Sequence, residues 1–312
     1  TDNNGHTLAD AVRGANKTVS ADGSGAEVTD KSDGHLDAFT SDGFTVGAGS
    51  SSDARVNDGS HTYVAWNWLA GNGTASNGNG SITSTVSVNT TAGFSIVSYA
   101  GTGSAATVGH GLGVAPRLII IKNRSSSESW RVYHGGLGAT KEIYLDLTSA
   151  AGTSSSSFND TEPTSSVFSV GTGNGTNKSS DNLIAYCFAE KQGYSKFSTY
   201  EGNGSTDGTF VYTGFKPAFI IIKNTTSGSH NWLMFDNKRD IDNPVSQLLM
   251  PNQSSAEQTM GTSNPLFDFC SNGFKLRGTG TDGNESGSTH IYMAFAESPF
   301  VTEGTKAAGT AR

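Results

Sequence analysis

The chain has 312 residues, with 40 glycines, only 7 prolines and a formal net charge of −8. An acidic chain without a basic run is a poor ligand for nucleic acid, because phosphate binding needs clustered lysine and arginine. No apolar segment approaches the roughly 20 residues of a transmembrane helix, so the composition predicts no membrane insertion.

Residues 1–72 are predicted to form a partial β-sandwich repeat, because several of their segments reappear further along the chain. The matched pairs are Phe44–Gly47 with Phe168–Gly171, Asp10–Arg13 with Asp236–Arg239, and 63–68 with 183–188. Nothing in 1–72 matches the opening strands of the later copies. We therefore expect the parent polypeptide to continue upstream, or another chain to supply those strands. The best helical candidate of the whole chain also lies here, in the short stretch Thr7–Arg13.

Residues 73–93 are predicted to be a linker followed by a strand. The Gly-Asn repeats of 71–80 are typical of a flexible segment. Apolar and polar residues alternate cleanly in Ser81–Val88, which predicts a strand that adds to the edge of a sheet.

Two complete copies follow, 94–192 and 193–300, and a C-terminal tail, 301–312, ends the chain. The run Leu118-Ile-Ile-Ile-Lys-Asn123 returns 101 residues later as Phe219-Ile-Ile-Ile-Lys-Asn224. Repetition at this spacing indicates whole domains in tandem rather than the short units of a solenoid. Because the link between the two copies is short, we expect tightly coupled modules in a rod.

Each complete copy contains about seven or eight short strand candidates separated by Gly, Ser or Asn loops. Runs that are apolar at every position suit central strands covered on both faces, whereas mixed runs such as Phe94–Tyr99 suit half-buried strands. The predicted fold class is all-β, with tandem antiparallel β-sandwich modules of the jelly-roll or lectin type.

Four aromatic residues are candidates for ligand binding: Trp130, Tyr133, Trp232 and Phe235. An aromatic face can stack on the C–H face of a hexose. Their matched positions in two copies also fit a second interpretation, shared packing against the core. The loops 152–160 and 252–263 are the alternative recognition surface, because small polar residues adapt to a ligand at little cost.

Asp236, Asp240 and Asp242 form the densest acidic cluster and are candidate metal ligands. Calcium takes about six to eight oxygen ligands, and carboxylates are its preferred protein groups. The other copies lack this cluster, so the alternative is a solvated loop whose charges pair with Lys238 and Arg239. Apart from this calcium candidate, no cofactor is indicated.

The repeats contain no recurring catalytic set. The scattered histidines form no zinc-binding pair, and no G-x-S-x-G elbow is present. Glu190 and Glu297 match each other, but the first copy lacks this acid, so we expect them to be solvated or paired with lysine. The two cysteines, Cys187 and Cys270, are expected to be free. We therefore assign no catalytic residue.

Three longer strings resemble repeat domains in virion proteins of marine tailed phages. The strings are Gly93-Phe-Ser-Ile-Val-Ser-Tyr-Ala-Gly-Thr-Gly-Ser104, His110-Gly-Leu-Gly-Val-Ala-Pro-Arg-Leu-Ile-Ile-Ile-Lys-Asn-Arg124 and Ala185-Tyr-Cys-Phe-Ala-Glu190 with Gly193-Tyr-Ser-Lys-Phe197. The resemblance spans nearly the whole chain, 1–300. It implies concanavalin-like β-sandwich modules in a structural or fibre-like appendage protein, and it brings no catalytic or ligand residues to carry over.

We therefore expect a non-enzymatic virion component, the C-terminal part of a tail fibre or surface appendage, assembled in the host cytoplasm and displayed on the extracellular particle. Its expected partners are other virion proteins, further copies in a homotrimer, and a host cell-surface glycan bound by multivalent adhesion. One alternative is a capsid or tail decoration protein with a purely structural role. Another is a carbohydrate-active enzyme or a secreted carbohydrate-binding module.

Overall fold

The computed structural model describes residues 4–29, 32, 34–49, 55–59 and 61–297, and these form an all-β protein with several antiparallel sheets. The strands in chain order are β1 (Thr7–Asp10), β2 (Gly14–Ser20), β3 (His35–Phe39), β4 (Phe44–Gly47), β5 (Ala75–Asn77), β6 (Ser84–Asn89), β7 (Phe94–Ala100), β8 (Ala106–Gly109), β9 (Leu118–Asn123), β10 (Arg131–His134), β11 (Lys141–Tyr144), β12 (Gly152–Thr153), β13 (Val167–Val170), β14 (Asn182–Phe188), β15 (Ser195–Glu201), β16 (Phe210–Tyr212), β17 (Pro217–Asn224), β18 (Trp232–Asp236), β19 (Gln247–Leu248), β20 (Gln258–Thr259), β21 (Phe267–Cys270), β22 (Gly273–Leu276) and β23 (Thr289–Ala296). The helices are the single turns α1 (Ser155–Phe158), α2 (Asn174–Asn177) and α3 (Thr281–Asn284). The predicted C-terminal tail, 301–312, lies outside the described residues.

The second repeat (94–192) is built on a large sheet with the order β12-β11-β10-β9-β14-β7-β6-β5. The alternating segment 81–88 contributes β6, which pairs with β7 and carries β5 at the sheet edge. A small sheet of β8 and β13 lies on one face of the large sheet, with an apolar cluster between them. We call this cluster the second-repeat cluster; it includes Val97, Val108, Ile119, Phe168 and Ala185.

The third repeat (193–300) has the same strand order in its main sheet. There the order is β15-β23-β17-β18, which corresponds to β7-β14-β9-β10 of the second repeat. The repeated Lys-Asn runs therefore occupy equivalent central positions, as β9 and β17. A smaller sheet of β16, β22 and β21 covers one face, and the third-repeat cluster between them includes Ile220, Phe235, Phe267, Phe274 and Tyr292.

The central strands contain long apolar runs, and both of their faces are buried. Side chains of successive strand residues point to opposite faces of a sheet. In β14, Leu183, Ala185 and Cys187 lie in the second-repeat cluster, whereas Ile184, Tyr186 and Phe188 lie in a different cluster on the other face. In β9, Ile119 lies in the second-repeat cluster and Leu118 in that other cluster, and β17 is divided in the same way between two clusters. The expectation that the runs 118–121 and 219–222 are covered on both sides is confirmed.

That other cluster is shared by all the repeats, and we call it the shared cluster. Its members include Val19 and Ala21 of the first repeat, Ile184, Tyr186 and Phe188 of the second, and Ile291, Met293 and Phe295 of the third. Phe188 lies 6.0 Å from Phe197 and 5.9 Å from Phe295 between ring centroids. The large sheet of the second repeat and the main sheet of the third therefore meet through the faces that point away from their own clusters. This arrangement contradicts the expected rod.

The first repeat (1–72) also packs on the shared cluster, through a hairpin rather than a helix. β1 pairs with β2 across the turn 11–13, so the best helical candidate of the sequence, Thr7–Arg13, is not a helix. The side chain of Asp10 accepts hydrogen bonds from the amides of Val12 (3.0 Å) and Arg13 (2.9 Å), which fixes a tight turn at this point. Leu8 and Val12 pack against the shared cluster.

Candidate functional site

The four aromatic candidates lie in the interior of the protein. Trp130 and Phe235 are 0% exposed, Tyr133 is 2% exposed and Trp232 is 5% exposed. Trp130 and Trp232 belong to the shared cluster, Tyr133 to the second-repeat cluster and Phe235 to the third-repeat cluster. None of them presents an open ring face to a sugar in this structure, and their burial fits the interpretation as core residues.

The three aspartates of the acidic cluster are not brought together. Asp236 is buried against Arg239, Asp240 accepts hydrogen bonds from the amide and hydroxyl of Ser246, and Asp242 is exposed. Within the described part of the chain, no group of three or more His, Cys, Asp or Glu side chains is arranged to hold a metal ion. Calcium therefore finds no set of carboxylate ligands in this loop.

Asp236 instead belongs to a clamp that recurs in the first repeat. Its Oδ1 accepts from the amide of Arg239 (2.9 Å), and its Oδ2 accepts from Nε of the same arginine (2.7 Å). Asp10 makes the same two contacts with the amide and Nε of Arg13. Although burial opposes ionisation, the hydrogen bonds from Arg239 hold the pKa of Asp236 below its usual value.

Each clamp also receives an aromatic side chain from another repeat. Tyr186 of the second repeat donates its hydroxyl to Asp10 Oδ2 (2.7 Å). Trp66 of the first repeat donates its indole N–H to Asp236 Oδ2 (3.3 Å) and lies beneath the Arg239 guanidinium. In the second repeat His134 stands at the matching position, and its Nε2 lies 3.2 Å from the carbonyl oxygen of Tyr292 in the third repeat. These three contacts connect the repeats in a closed cycle.

A second cycle of contacts is made by the residues four positions before Asp10, His134 and Asp236. The indole N–H of Trp130 donates to the carbonyl oxygen of Ser20 (2.9 Å), and that of Trp232 donates to the carbonyl oxygen of Tyr144 (2.8 Å). His6 holds the matching place in the first repeat, with Nε2 3.0 Å from the carbonyl oxygen of Met250. Each repeat therefore binds the backbone of the one before it, and the first binds the third.

The lysine of the Lys-Asn run is a further link between repeats. Lys122 donates to the carbonyl oxygen of Ser24 in the first repeat (2.8 Å), and Lys223 donates to that of Thr148 in the second (3.1 Å). Both side chains are fully buried. Burial lowers the pKa of each ammonium group to about 8, because the charged form loses its hydration.

The asparagine of the run holds the loop that follows it. Asn224 Oδ1 accepts from the amide of Thr226 (3.0 Å), and its Nδ2 donates to Glu285 Oε2 (2.8 Å). Asn123 repeats this arrangement, accepting from the amide of Ser125 (2.9 Å) and donating to Asp181 Oδ2 (2.9 Å). The most distinctive motif of the sequence is therefore structural in both repeats.

One group of polar side chains was missed by sequence reasoning. His230 Nδ1 lies 2.7 Å from Asp282 Oδ1, and its Nε2 lies 3.0 Å from Ser227 Oγ. The Ser227 hydroxyl donates to Glu285 Oε2 (2.6 Å), so its proton is held by a carboxylate rather than offered to the imidazole. Three side-chain donors, Ser227, Ser288 and Asn224, lower the pKa of Glu285 to about 2. A nucleophilic serine needs the opposite arrangement, and no local motif signals the group because Asp282 is 52 residues from His230.

The remaining acidic and sulfur groups make no separate site. Glu190 and Glu297 each lie beside a lysine, with the Lys196 ammonium at 3.5 Å and the Lys216 ammonium at 3.0 Å. Both cysteines are free, as expected. Burial raises the pKa of the Cys187 thiol, which suppresses its reactivity.

The two loops named as recognition surfaces remain largely exposed. Segment 152–160 includes β12 and the turn α1, and of its residues Ser157 and Phe158 are buried. Segment 252–263 is exposed over 257–259 and 261–263. In the described part of the chain, no helix has the length and apolar character needed to cross a membrane.

In a comparison with protein-family models, residues 1–299 match a domain of unknown function, DUF7483. No curated protein and no solved structure matches the sequence. The family model spans all the repeats, which agrees with the contacts that join them into one body.

Proposed function

The chain belongs to the DUF7483 family, and we propose that it is a non-enzymatic structural protein of a tailed-phage virion, the C-terminal part of a tail fibre or surface appendage. In this proposal it adheres to the host surface through weak contacts with cell-surface glycan. A homotrimer presents these contacts together, so that repeated weak binding gives a high combined affinity.

A single observation supports the structural role: the polar residues that recur between repeats are used in contacts within the protein. The Asp–Arg clamps, the ring nitrogens and the buried lysines all bind groups of a neighbouring repeat. A repeated active site would instead leave recurring polar groups facing a cleft. The recurring groups therefore serve a rigid scaffold.

The scaffold leaves adhesion to residues that differ between the repeats. The exposed stretches of 152–160 and 252–263 carry Ser, Thr, Asn and Gln side chains, which donate and accept hydrogen bonds to sugar hydroxyls. Loops held by a rigid framework are common recognition surfaces because their sequence can change without loss of the core.

Binding of the labelled chain to host cells and to a glycan array tests the adhesion. Thr262→Arg places a bulky charge on an exposed residue of the 252–263 loop and is expected to lower cell binding at least about tenfold. Thr90→Arg changes an exposed residue outside both loops and serves as the matched control. Equal binding by the two variants, or no binding to any host envelope fraction, would remove the adhesive part of the proposal.

A density map of the intact particle tests the structural part. We expect copies of the chain in a projecting appendage. Copies ordered on the capsid or tail lattice would support the alternative of a decoration protein instead. Turnover of a host polysaccharide by the purified chain would contradict the non-enzymatic role.

A further inference from the structure

Residues 64–70 take the place in the first repeat that central strands occupy in the other repeats. They match the sequence of β14 and β23. β14 pairs with β9 on one edge and β7 on the other, and β23 pairs with β17 and β15 in the same way. Among the described residues, the backbone of 64–70 pairs with no strand. Within that part of the chain its backbone makes one hydrogen bond, which the Asn89 side chain donates to the Leu69 carbonyl oxygen (3.2 Å).

The inner face of this segment is anchored. The Trp68 ring lies 5.5 Å from that of Phe219 and 5.5 Å from that of Phe295. The Trp66 ring lies 5.6 Å from Phe219. Both tryptophans pack against the shared cluster, so the segment is held in place although no described strand pairs with its edges.

The outer face of the segment is uncovered. Burial alternates along 64–70 as in a strand, and the outward residues Ala65, Asn67 and Leu69 are exposed, Leu69 to 72%. The matching outward residues of the second repeat, which are Ala185, Cys187 and Ala189, are at most 1% exposed. An anchored segment with strand-like alternation, whose two edges pair with no described strand and whose outer face is exposed, is a template for pairing with further strands.

We propose that residues 64–70 are a docking site for two β-strands of another polypeptide segment, one with the sequence character of β9 and one with that of β7. The second and third repeats supply the argument, because each shows the same strand type with both neighbours in place. Main-chain hydrogen bonds along both edges provide affinity, and apolar side chains that cover the outer face provide specificity. The inference does not depend on the virion role.

The register of the docked Lys-Asn strand follows from the second repeat. There Lys122 lies opposite Ile184, which corresponds to Val64 in the first repeat. In the first repeat Asp22 accepts a hydrogen bond from the His6 amide. Two residues further on, the carbonyl oxygen of Ser24 accepts from the Lys122 ammonium group.

The third repeat offers the matching lysine acceptor. Its Asn252 accepts from the Trp232 amide (2.9 Å) as Asp22 does from His6. Two residues on is Ser254, an exposed residue that makes no hydrogen bond with another described residue. The docked lysine is therefore expected to donate to the Ser254 carbonyl oxygen.

The main-chain groups of even-numbered residues in the segment face one edge, and those of odd-numbered residues face the other. In the second repeat the Phe188 carbonyl oxygen accepts from the Arg117 amide on the β9 edge (2.8 Å). The Ala189 amide donates to the Gly93 carbonyl oxygen on the β7 edge (2.8 Å). By correspondence, the amide of Val64 faces the Lys-Asn strand and the amide of Ala65 faces the other strand. A proline at either position removes one donor from one edge only.

The test uses the full chain and two synthetic peptides, residues 117–124 and residues 93–101, with hydrogen exchange as the readout. Each peptide is expected to slow exchange of the amides of 64–70. Val64→Pro is expected to weaken binding of the 117–124 peptide about tenfold, the effect of one lost main-chain hydrogen bond with its partner left unpaired. Ala65→Pro is the matched control, because it should weaken only the 93–101 peptide.

Cross-linking tests the register independently. In a Cys270→Ser background, a Ser254→Cys chain carrying a short thiol-to-amine cross-linker is expected to couple to the Lys122 ammonium group of an N-acetylated 117–124 peptide. A peptide with Lys122→Arg and Ile119→Lys should not couple, because side chain 119 points to the opposite face.

Three results would overturn the proposal. Amides of 64–70 that exchange as slowly as those of β14 without peptide would show that the segment is already paired. Peptides that leave exchange unchanged would show that it does not accept strands. Protection that appears only where the chain itself dimerises, followed by sedimentation, would assign the site to a second copy instead.

Discussion

The residues that recur in this sequence recur because they connect the repeats. Lys122 and Lys223 could be mistaken for catalytic or ligand-binding groups, since buried lysines with a lowered pKa often are. Here each ammonium group is satisfied by backbone carbonyl oxygens, Lys122 by those of Ser24 and Glu128. Their burial therefore reports packing between repeats.

Asn224→Ala is expected to lower the free energy of unfolding by about 1–3 kcal/mol, because it removes a fully buried side chain together with its hydrogen bonds to the Thr226 amide and the Glu285 carboxylate. Urea unfolding followed by fluorescence measures the change. Asn79→Ala is the control, since Asn79 is exposed, and it should alter stability by less than about 0.5 kcal/mol. Equal effects of the two substitutions would contradict the anchoring role of Asn224.

The burial of His134 predicts that the folded protein loses stability in mild acid. Burial lowers its pKa to about 4, below the value of 6.5 for an exposed histidine. Between these values the unfolded chain binds a proton that the folded chain does not, so the stabilising contribution is complete above pH 6.5 and is lost as the pH falls towards 4. His134→Asn keeps an acceptor for the Gly136 amide and should flatten this part of the stability curve. An unchanged slope between pH 6.5 and 4 in urea unfolding would exclude His134 as the cause.

At the scale of elements, the sheets acquire their second buried face only through the other repeats. Ile184 and Met293 would face water in an isolated sandwich, but both lie in the shared cluster. The links at the edge of this cluster are polar and directional: a clamp in the first repeat binds β14, and Trp66 binds the clamp at the end of β18. Apolar burial supplies the attraction, and the hydrogen bonds fix which repeat faces which.

Arg13→Met is expected to destabilise the protein by about 3–5 kcal/mol, because it leaves the Asp10 carboxylate buried without its partner. The matched variant Arg239→Met should cost less, since the Arg239 side chain is 10% exposed and that of Arg13 is 0% exposed. Chemical denaturation of the two variants gives the comparison. Arg239→Met as damaging as Arg13→Met would contradict the dependence on burial.

At the scale of the whole molecule, the closed cycle of contacts predicts cooperative unfolding. A linear array of domains can lose its members one at a time, whereas repeats that share one cluster lose it together. We expect a single calorimetric transition for the chain, with a calorimetric enthalpy equal to the van't Hoff enthalpy. Two or three resolved transitions would show that the shared cluster does not couple the repeats.

The sequence by itself determined the strands, the repeated Lys-Asn runs and their burial on both faces, because local alternation and uninterrupted apolar runs depend only on strand geometry. It could not show that Trp130 and Trp232 reach into a neighbouring repeat, since the contacts join residues 110 and 88 positions apart. For the same reason it suggested a rod, offered Thr7–Arg13 as a helical candidate, and left both a sugar platform and core packing open for the aromatic residues. Only the tertiary structure decided that the repeats enclose a common core, because long-range packing and not local pattern selects which faces meet.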